Sequence, residues 1–372
     1  MTEKIKFAAP CIFGLESTLG FELKRMGAEN VSVTDGRVTF EGGFDTLARA
    51  NLRLSTAERV LIELGSFKAE SFAELFDGVM TLPLESFIGR LDAFPVKGHS
   101  IDSKLHSIPD CQSIIKKAAV DRLKKTYHIE HFEETGAVHQ ITFNIFKDIA
   151  TIYLDTSGAG LHKRGYRKNS NAAPIKETLA AGIIDLAKVR LFDKMYDPMC
   201  GSGTFLIESV YKALGVAPGL RRSFAAEKWE QLSPSVWQEE RAAAMELIDK
   251  TKPFKAYGFD IDTLAVDLTI DNAKKAGVGS KILVSEQDIK DFKPQRGAVT
   301  VCNPPYGERL LDLRQAEELY KVLGDKLSPD KDSPCYIITP HEEFEKFFGK
   351  KADKKRKLYN GMIKCNLYMY FK

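Results

Sequence analysis

Residues Met195-Tyr196-Asp197-Pro198-Met199-Cys200-Gly201-Ser202-Gly203-Thr204 run from a short apolar stretch through a glycine turn into the helical series Phe205, Leu206, Ser209, Val210 and Ala213. A strand that passes into a helix through so tight a turn belongs to an open α/β sheet, where ligands lie beyond the carboxyl ends of the strands. Glycines in such a turn admit a ligand close to the backbone, and the first helical turn offers free N–H groups. The third glycine of a dinucleotide fingerprint is missing, since Thr204-Phe205-Leu206 follows Gly203. Further along, the β-rich run Ala298-Val299-Thr300-Val301-Cys302 ends at Asn303-Pro304-Pro305-Tyr306. An apolar run closed by two prolines can be a buried strand only if the chain leaves the sheet there. The tetrapeptide therefore belongs on a loop at the strand's C-terminal edge.

Pro304 holds Asn303 extended, so an amide side chain, a free carbonyl and an aromatic face share one rigid register. Such a cluster suits a planar ring carrying an NH2 group. Asn303 Oδ1 and the Pro304 carbonyl accept the two amine hydrogens, and Tyr306 stacks on the ring. This is the expected seat of an extruded nucleobase; the bland alternative is an ordinary proline-closed loop. Between the two motifs, the strand Phe254 to Phe259 ends at Asp260 and Asp262. A carboxylate there can accept both ribose hydroxyls of a nucleoside cofactor. Asp260 follows the strand more directly and is favoured; Asp262 stays open. Ile282-Leu283-Val284 leads to Gln287-Asp288, where Asp288 could equally be a helix N-cap.

The order DPxCGSG, an acid after the next strand, then NPPY resembles the class I S-adenosylmethionine-dependent methyltransferases that modify exocyclic or amide nitrogens. The resemblance implies an α/β fold: a C-terminal Rossmann-like domain with a seven-stranded sheet and an antiparallel last strand. It implies S-adenosylmethionine as cofactor, bound by Asp197, Pro198, Cys200, Gly201, Ser202, Gly203 and Thr204, by Asp260 or Asp262, by Asp288 at the adenine amino group, and by Asn303. Asn303, Pro304 and Tyr306 become the catalytic residues, with no metal and no covalent intermediate required. Cys200 and Cys302 also read as small packing residues within their motifs.

Ahead of this half, Lys6 to Cys11 reads as a strand, Leu15 to Met26 as a helix stopped by Gly27, Val31 to Phe40 as a hairpin around Asp35-Gly36, and 45–54 as a second helix. This unit, 1–58, is ferredoxin-like α+β and reads as a structural or docking module. Residues 59–160 give strand Arg59 to Phe67, helix Phe72 to Met80, strand Phe94 to Ser100, helix Ser113 to Tyr127, then strands Val138 to Phe146 and Ile149 to Asp155. That series is similar to a THUMP domain, an RNA-binding module. The lysines of its long helix are either solvated or near phosphates. The linker Leu161-His162-Lys163-Arg164-Gly165-Tyr166-Arg167 and the helix opening at Ala173-Pro174 resemble the THUMP-bearing methyltransferases, so that 161–372 is the catalytic domain. DPMCGSGTFLIE, NPPYGERL and LHKRGYR look most like the bacterial enzymes that methylate guanine N2 in 23S ribosomal RNA. Under that resemblance His162, Lys163, Arg164, Arg167 and Arg309 are candidate RNA contacts, with a solvated hinge as the alternative for the linker cations. Residues 217–252, with Trp229 and Trp237, read as a helical insertion whose tryptophans anchor a core or a lid.

Composition sets limits on these readings. The net charge is +3 over 372 residues, so any nucleic-acid face must come from local clustering. Six cysteines without CxxC or Cys/His spacing argue against a zinc or iron–sulfur site and for reduced thiols. No run is long enough to span a membrane and the N-terminus lacks a signal-peptide core, so a cytoplasmic protein with no membrane partner is expected. Larger relatives fuse a second methyltransferase; a single methylation activity is expected here. RNA is the expected partner: 23S ribosomal RNA first, transfer RNA next. DNA adenine N6, a protein glutamine and an idle RNA-binding assembly factor are the remaining alternatives. The sequence does not fix the oligomeric state.

Overall fold

The computed structural model of the chain describes residues 4–167, 174–306 and 313–372. Its first half is built on one seven-stranded sheet. The strands are β1 (Ile5–Pro10), β2 (Glu29–Thr34), β3 (Arg37–Gly42), β4 (Leu61–Lys68), β5 (Val96–Ile101), β6 (Ile141–Phe146) and β7 (Ile149–Asp155), in the order β2-β3-β1-β4-β7-β6-β5. The β2–β3 hairpin turns at Asp35-Gly36, where Gly36 has φ 72°. Antiparallel pairing of β1 with β4 (Phe7 opposite Ile62) makes the first two units share this sheet. Helices α1 (Glu16–Arg25), α2 (Phe44–Arg53), α3 (Phe72–Met80) and α4 (Ile108–Tyr127) bury their apolar positions against it. α3 opens with a capping box, the Ser71 hydroxyl accepting from Glu74 N–H and the Glu74 carboxylate from Ser71 N–H. α4 starts five residues earlier than its apolar spacing indicates, because Pro109 in the first turn gives up no hydrogen bond.

Two of the cations of α4, Lys116 and Arg122, are engaged within the protein. Lys116 Nζ donates to Phe94 O (3.2 Å) and sits 3.5 Å over the Phe94 ring, and Arg122 Nε donates to Glu85 (3.0 Å).

The second half continues with α5 (Glu177–Leu186), β8 (Lys194–Asp197), α6 (Thr204–Leu214), α7 (Pro234–Glu246), β9 (Lys255–Asp260), α8 (Thr263–Ala276), β10 (Ile282–Glu286), β11 (Val299–Cys302), α9 (Leu313–Leu327), β12 (Cys335–Thr339), α10 (Phe344–Phe348), β13 (Lys354–Asn360) and β14 (Ile363–Tyr370). Its sheet runs β10-β9-β8-β11-β12-β14-β13, with β14 antiparallel to both neighbours. Strand order reverses between β8 and β11, and the crevice at such a switch point is where open α/β sheets bind ligands. Two cores cover the two faces, one around Leu206, Val210 and Ile338, the other around Tyr320, Phe344 and Tyr368.

The insertion does not form a lid. Trp229 and Trp237, 1% and 3% exposed, are part of the N-terminal core. The Trp229 indole N–H donates to Val138 O (3.1 Å) while its ring stacks on His139 at 4.3 Å. Arg49 Nε on α2 donates to Glu240 on α7 (3.0 Å), and Gly219 N–H to Leu52 O (2.8 Å). The insertion thus fastens the catalytic half onto the N-terminal sheet. Among the described residues no helix is long and apolar enough to cross a membrane, and no group of three or more His, Cys, Asp or Glu could hold a metal ion. All six cysteines are free and buried.

Candidate functional site

The glycine turn after β8 is held from three sides. Cys200 N–H donates to Phe259 O (2.9 Å) at the end of β9. The Thr269 hydroxyl donates to Gly201 O (2.8 Å) and Asn272 Nδ2 to Ser202 O (3.0 Å), so α8 takes up two carbonyls of the turn. Gly203 has φ 76°, and a Cβ there would stand 2.6 Å from Thr269 Cγ2; both facts demand glycine. Gly201 N–H donates to Asp260 Oδ2 (2.9 Å) and Asp262 N–H to Asp260 Oδ1 (3.1 Å). Two backbone donors thereby fix the orientation of the Asp260 carboxylate, whose remaining lone pairs stay available to a ligand. Asp262 Oδ1 accepts from Leu264 N–H (2.9 Å) and caps α8, while Asp288 Oδ1 accepts from Lys290 N–H (2.9 Å) and caps a 3₁₀ turn.

A cavity of about 510 Å3 opens beyond these strand ends. It is lined by Asp197, Pro198, Cys200, Gly201, Ser202, Thr204, Asp260, Asp262 and Asp288 on one side and by Asn303, Pro304, Pro305 and Tyr306 on the other. Parallel pairing of β8 with β11 (Tyr196 opposite Thr300) brings the two motifs to adjacent strand ends. Of the anticipated cofactor residues, Gly203 alone does not line the cavity; it shapes the turn. The Asn303 amide has no hydrogen-bond partner among the described residues. The Tyr306 hydroxyl accepts from Asn360 Nδ2 (3.2 Å) on β13, which ties the loop to the last hairpin.

Asp197 is 1% exposed and accepts Met199 N–H at 3.3 Å. Burial pushes its carboxyl from 3.8 up to about 8; the Met199 amide opposes this shift and the Asp260 charge adds to it. A proton held more tightly in the folded chain stabilises it fully below pH 3.8, and that contribution is lost as pH rises through about 8. The thermal midpoint of the ligand-free protein should therefore fall more steeply between about pH 4 and 8 in the wild type than in Asp197→Asn. Parallel slopes for the two proteins would mean that Asp197 is already ionised at neutrality.

Two of the linker cations anticipated as RNA contacts, Arg164 and Arg167, turn into the protein instead. Arg164 is 3% exposed and donates to Leu161 O (2.6 Å), Ser55 O (2.6 Å) and Glu208 Oε1 (3.4 Å). It is an internal strut between the two halves and has no surface to offer RNA. Arg167 is likewise committed, donating to Glu177 (2.7 Å), Ile175 O (3.0 Å) and Thr204 Oγ1 (3.3 Å). It pins the Pro174-Ile175 segment that walls the cavity. His162 Nδ1 faces Glu58 Oε2 at 3.3 Å, and Lys163 is exposed. Arg309 lies outside the described residues. Pro174 also stands outside α5, which begins at Glu177 after an extended Lys176.

Sequence reasoning missed Thr269, Asn272 and Asn360, which hold the motifs from other elements, and Ile175, Ile261, Gln287 and Leu319, which line the cavity. None carries a local signal, since each acts through a tertiary contact.

Three family models match the chain: a RlmL ferredoxin-like domain over 6–61, a THUMP domain over 69–155, and the RMKL-like methyltransferase domain over 164–369. The chain is 40% identical to a putative RNA methyltransferase, YpsC, of Bacillus subtilis strain 168, across 99% of this chain and 96% of that protein. It is 35% identical to the ribosomal RNA large subunit methyltransferase K/L of Psychromonas ingrahamii, across 98% of this chain. The alignment spans 50% of that longer relative. Among solved structures, a putative methyltransferase, SMU.472, complexed with SAH is 38% identical and superposes with a TM-score of 0.94 over 100% of this chain and 99% of that one.

Proposed function

Since the chain belongs to the RMKL-like methyltransferase family, with ferredoxin-like and THUMP domains ahead of the catalytic one, we propose that it transfers a methyl group from S-adenosylmethionine to the exocyclic N2 of a guanine in RNA, 23S ribosomal RNA first. The division assigned is 1–58, 59–160 and 161–372. The observation that carries the reading is the single cavity shared by the glycine turn, Asp260 and the Asn303–Tyr306 loop, at the point where strand order reverses. Its volume is that of a small-molecule site, and its fixed carboxylate fits a ligand that presents hydroxyls. The K/L name of the ribosomal RNA relatives and the SAH in the solved relative support RNA and the cofactor respectively.

Asp260, with Asp262 and Asp288 beside it, would hold the nucleoside part of the cofactor, and the 197–204 turn would take the rest. Bound there, S-adenosylmethionine supplies an electrophilic methyl group on a sulfonium sulfur. A guanine N2 is a weak nucleophile because its lone pair is conjugated into the ring. Asn303 Oδ1 and the Pro304 carbonyl, by accepting its two hydrogens, favour a pyramidal nitrogen with its lone pair turned away from the ring. The same two acceptors stabilise the positive charge that grows on that nitrogen. Tyr306, anchored by Asn360, stacks on the extruded base. After transfer the nitrogen loses one proton to solvent.

Nucleoside analysis of 23S and transfer RNA from cells lacking the protein tests the assignment. Loss of N2-methylguanosine from 23S RNA is expected. Loss from transfer RNA alone would move the substrate, and an unchanged RNA profile alongside lost N6-methyladenine in DNA would overturn the RNA reading.

A further inference from the structure

The tip of the last hairpin presents apolar side chains to solvent next to the candidate site. Met362 is 98% exposed and Ile363 45%, and Phe13, from the loop after β1, is 46% exposed. Phe13 and Tyr359 meet edge to face with ring centroids 6.3 Å apart. Two contacts fix this meeting of distant segments. Arg356 donates to Gly14 O (2.9 Å), and a Cβ on Gly14, whose φ is 92°, would stand 2.6 Å from Lys357 O. The hairpin turn is equally defined: Gly361 has φ 64° and Met362 a negative φ, the type II′ arrangement with glycine first.

Charge and position indicate the partner. Residues 354–364 carry five cations and no carboxylate; Lys355 pairs with Glu345 (2.7 Å) and Lys364 lies 3.8 Å from Glu342, which leaves Lys354 and Lys357 without an ion pair among the described residues. Lys354, Lys357 and Lys364 are exposed, and Lys357 Nζ lies 5.4 Å from the Tyr359 ring centre. Basic groups interleaved with aromatic rings are the surface chemistry of single-stranded nucleic acid binding, phosphates meeting cations and bases meeting ring faces. The tip is also continuous with the cavity, because Asn360 at the end of β13 donates to the Tyr306 hydroxyl. We propose that Phe13, Tyr359 and Met362 form a stacking lip for the unpaired RNA bases that flank the target base as it enters the cavity. This rests on the RNA-methyltransferase reading, and adds to it a contact contributed jointly by the ferredoxin-like unit and the last hairpin.

The test uses the full chain and a fluorescein-labelled single-stranded RNA of about 12 nucleotides, alone and annealed into a duplex, followed by anisotropy. Phe13→Ala/Tyr359→Ala should weaken single-strand binding about tenfold, with a smaller loss for Met362→Ser, while duplex affinity stays at the wild-type value. Unchanged affinity for S-adenosylhomocysteine shows that the variants are folded. Wild-type single-strand affinity in both variants would overturn the lip while leaving the enzymatic reading standing, provided the wild type still methylates ribosomal RNA. A wild type that transfers labelled methyl to no RNA would instead remove the reading beneath it.

Discussion

Replacing Asn303 with alanine is expected to lower the single-turnover rate of methyl transfer by about 10²–10³-fold, with S-adenosylhomocysteine affinity unchanged. The expectation follows from what the amide is placed to do. Its oxygen is one of two acceptors for the target amine, the Pro304 carbonyl being the other, and it has no hydrogen-bond partner among the described residues that would compete. Removing a fixed polar group that opposes charge developing in the transition state costs that factor in other enzymes. Cofactor affinity should survive, because Asp260 and the glycine turn are oriented by Gly201, Asp262, Thr269 and Asn272 without help from Asn303. Asn303→Asp keeps an acceptor oxygen and should retain part of the rate. An alanine variant with undiminished turnover would remove Asn303 from the chemistry. One that loses cofactor affinity along with turnover would make it part of the cofactor site.

The parts of this site legible in the sequence are those whose physical cause is local. A glycine turn between a strand and a helix, an acid at a strand's end and a pair of prolines closing an apolar run each constrain the backbone within a few residues. The structure brings all three to one cavity. The alternation of strand and helix likewise marked most of the elements, whereas the joining of the first two units in one sheet came only with the pairing of β1 and β4. Hidden were the contacts made by chain folding back on itself. Thr269 and Asn272 look like ordinary residues on the polar side of a helix, yet they hold the turn. The tryptophans of the insertion could not be assigned to a core or a lid until α7 was seen against α2. Arg164 and Arg167 were hidden for the same reason: a run of cations between two domains carries no local mark of which guanidinium turns inward.

Arg164 shows what that inward turn is worth. Its guanidinium joins Ser55 of the first unit, Leu161 of the linker and Glu208 of α6, and the Tyr166 hydroxyl donates to the same Glu208 oxygen at 3.1 Å. Both Arg164 and Glu208 are almost wholly buried, at 3% and 2% exposure. Arg164→Leu would leave a buried carboxylate without its cation and two carbonyls without donors, a defect that typically costs about 3–5 kcal/mol. Urea unfolding should register that loss. The double variant Arg164→Leu/Glu208→Leu should recover a large part of it, because an apolar pair of similar volume removes the stranded charge. A surface phosphate contact predicts the opposite pattern: wild-type stability, weaker RNA binding, and a salt dependence of binding reduced by about one unit of slope. The burial of Arg164 leads to lost stability, restored by the second substitution, with the salt dependence of RNA binding in the double variant equal to that of the wild type.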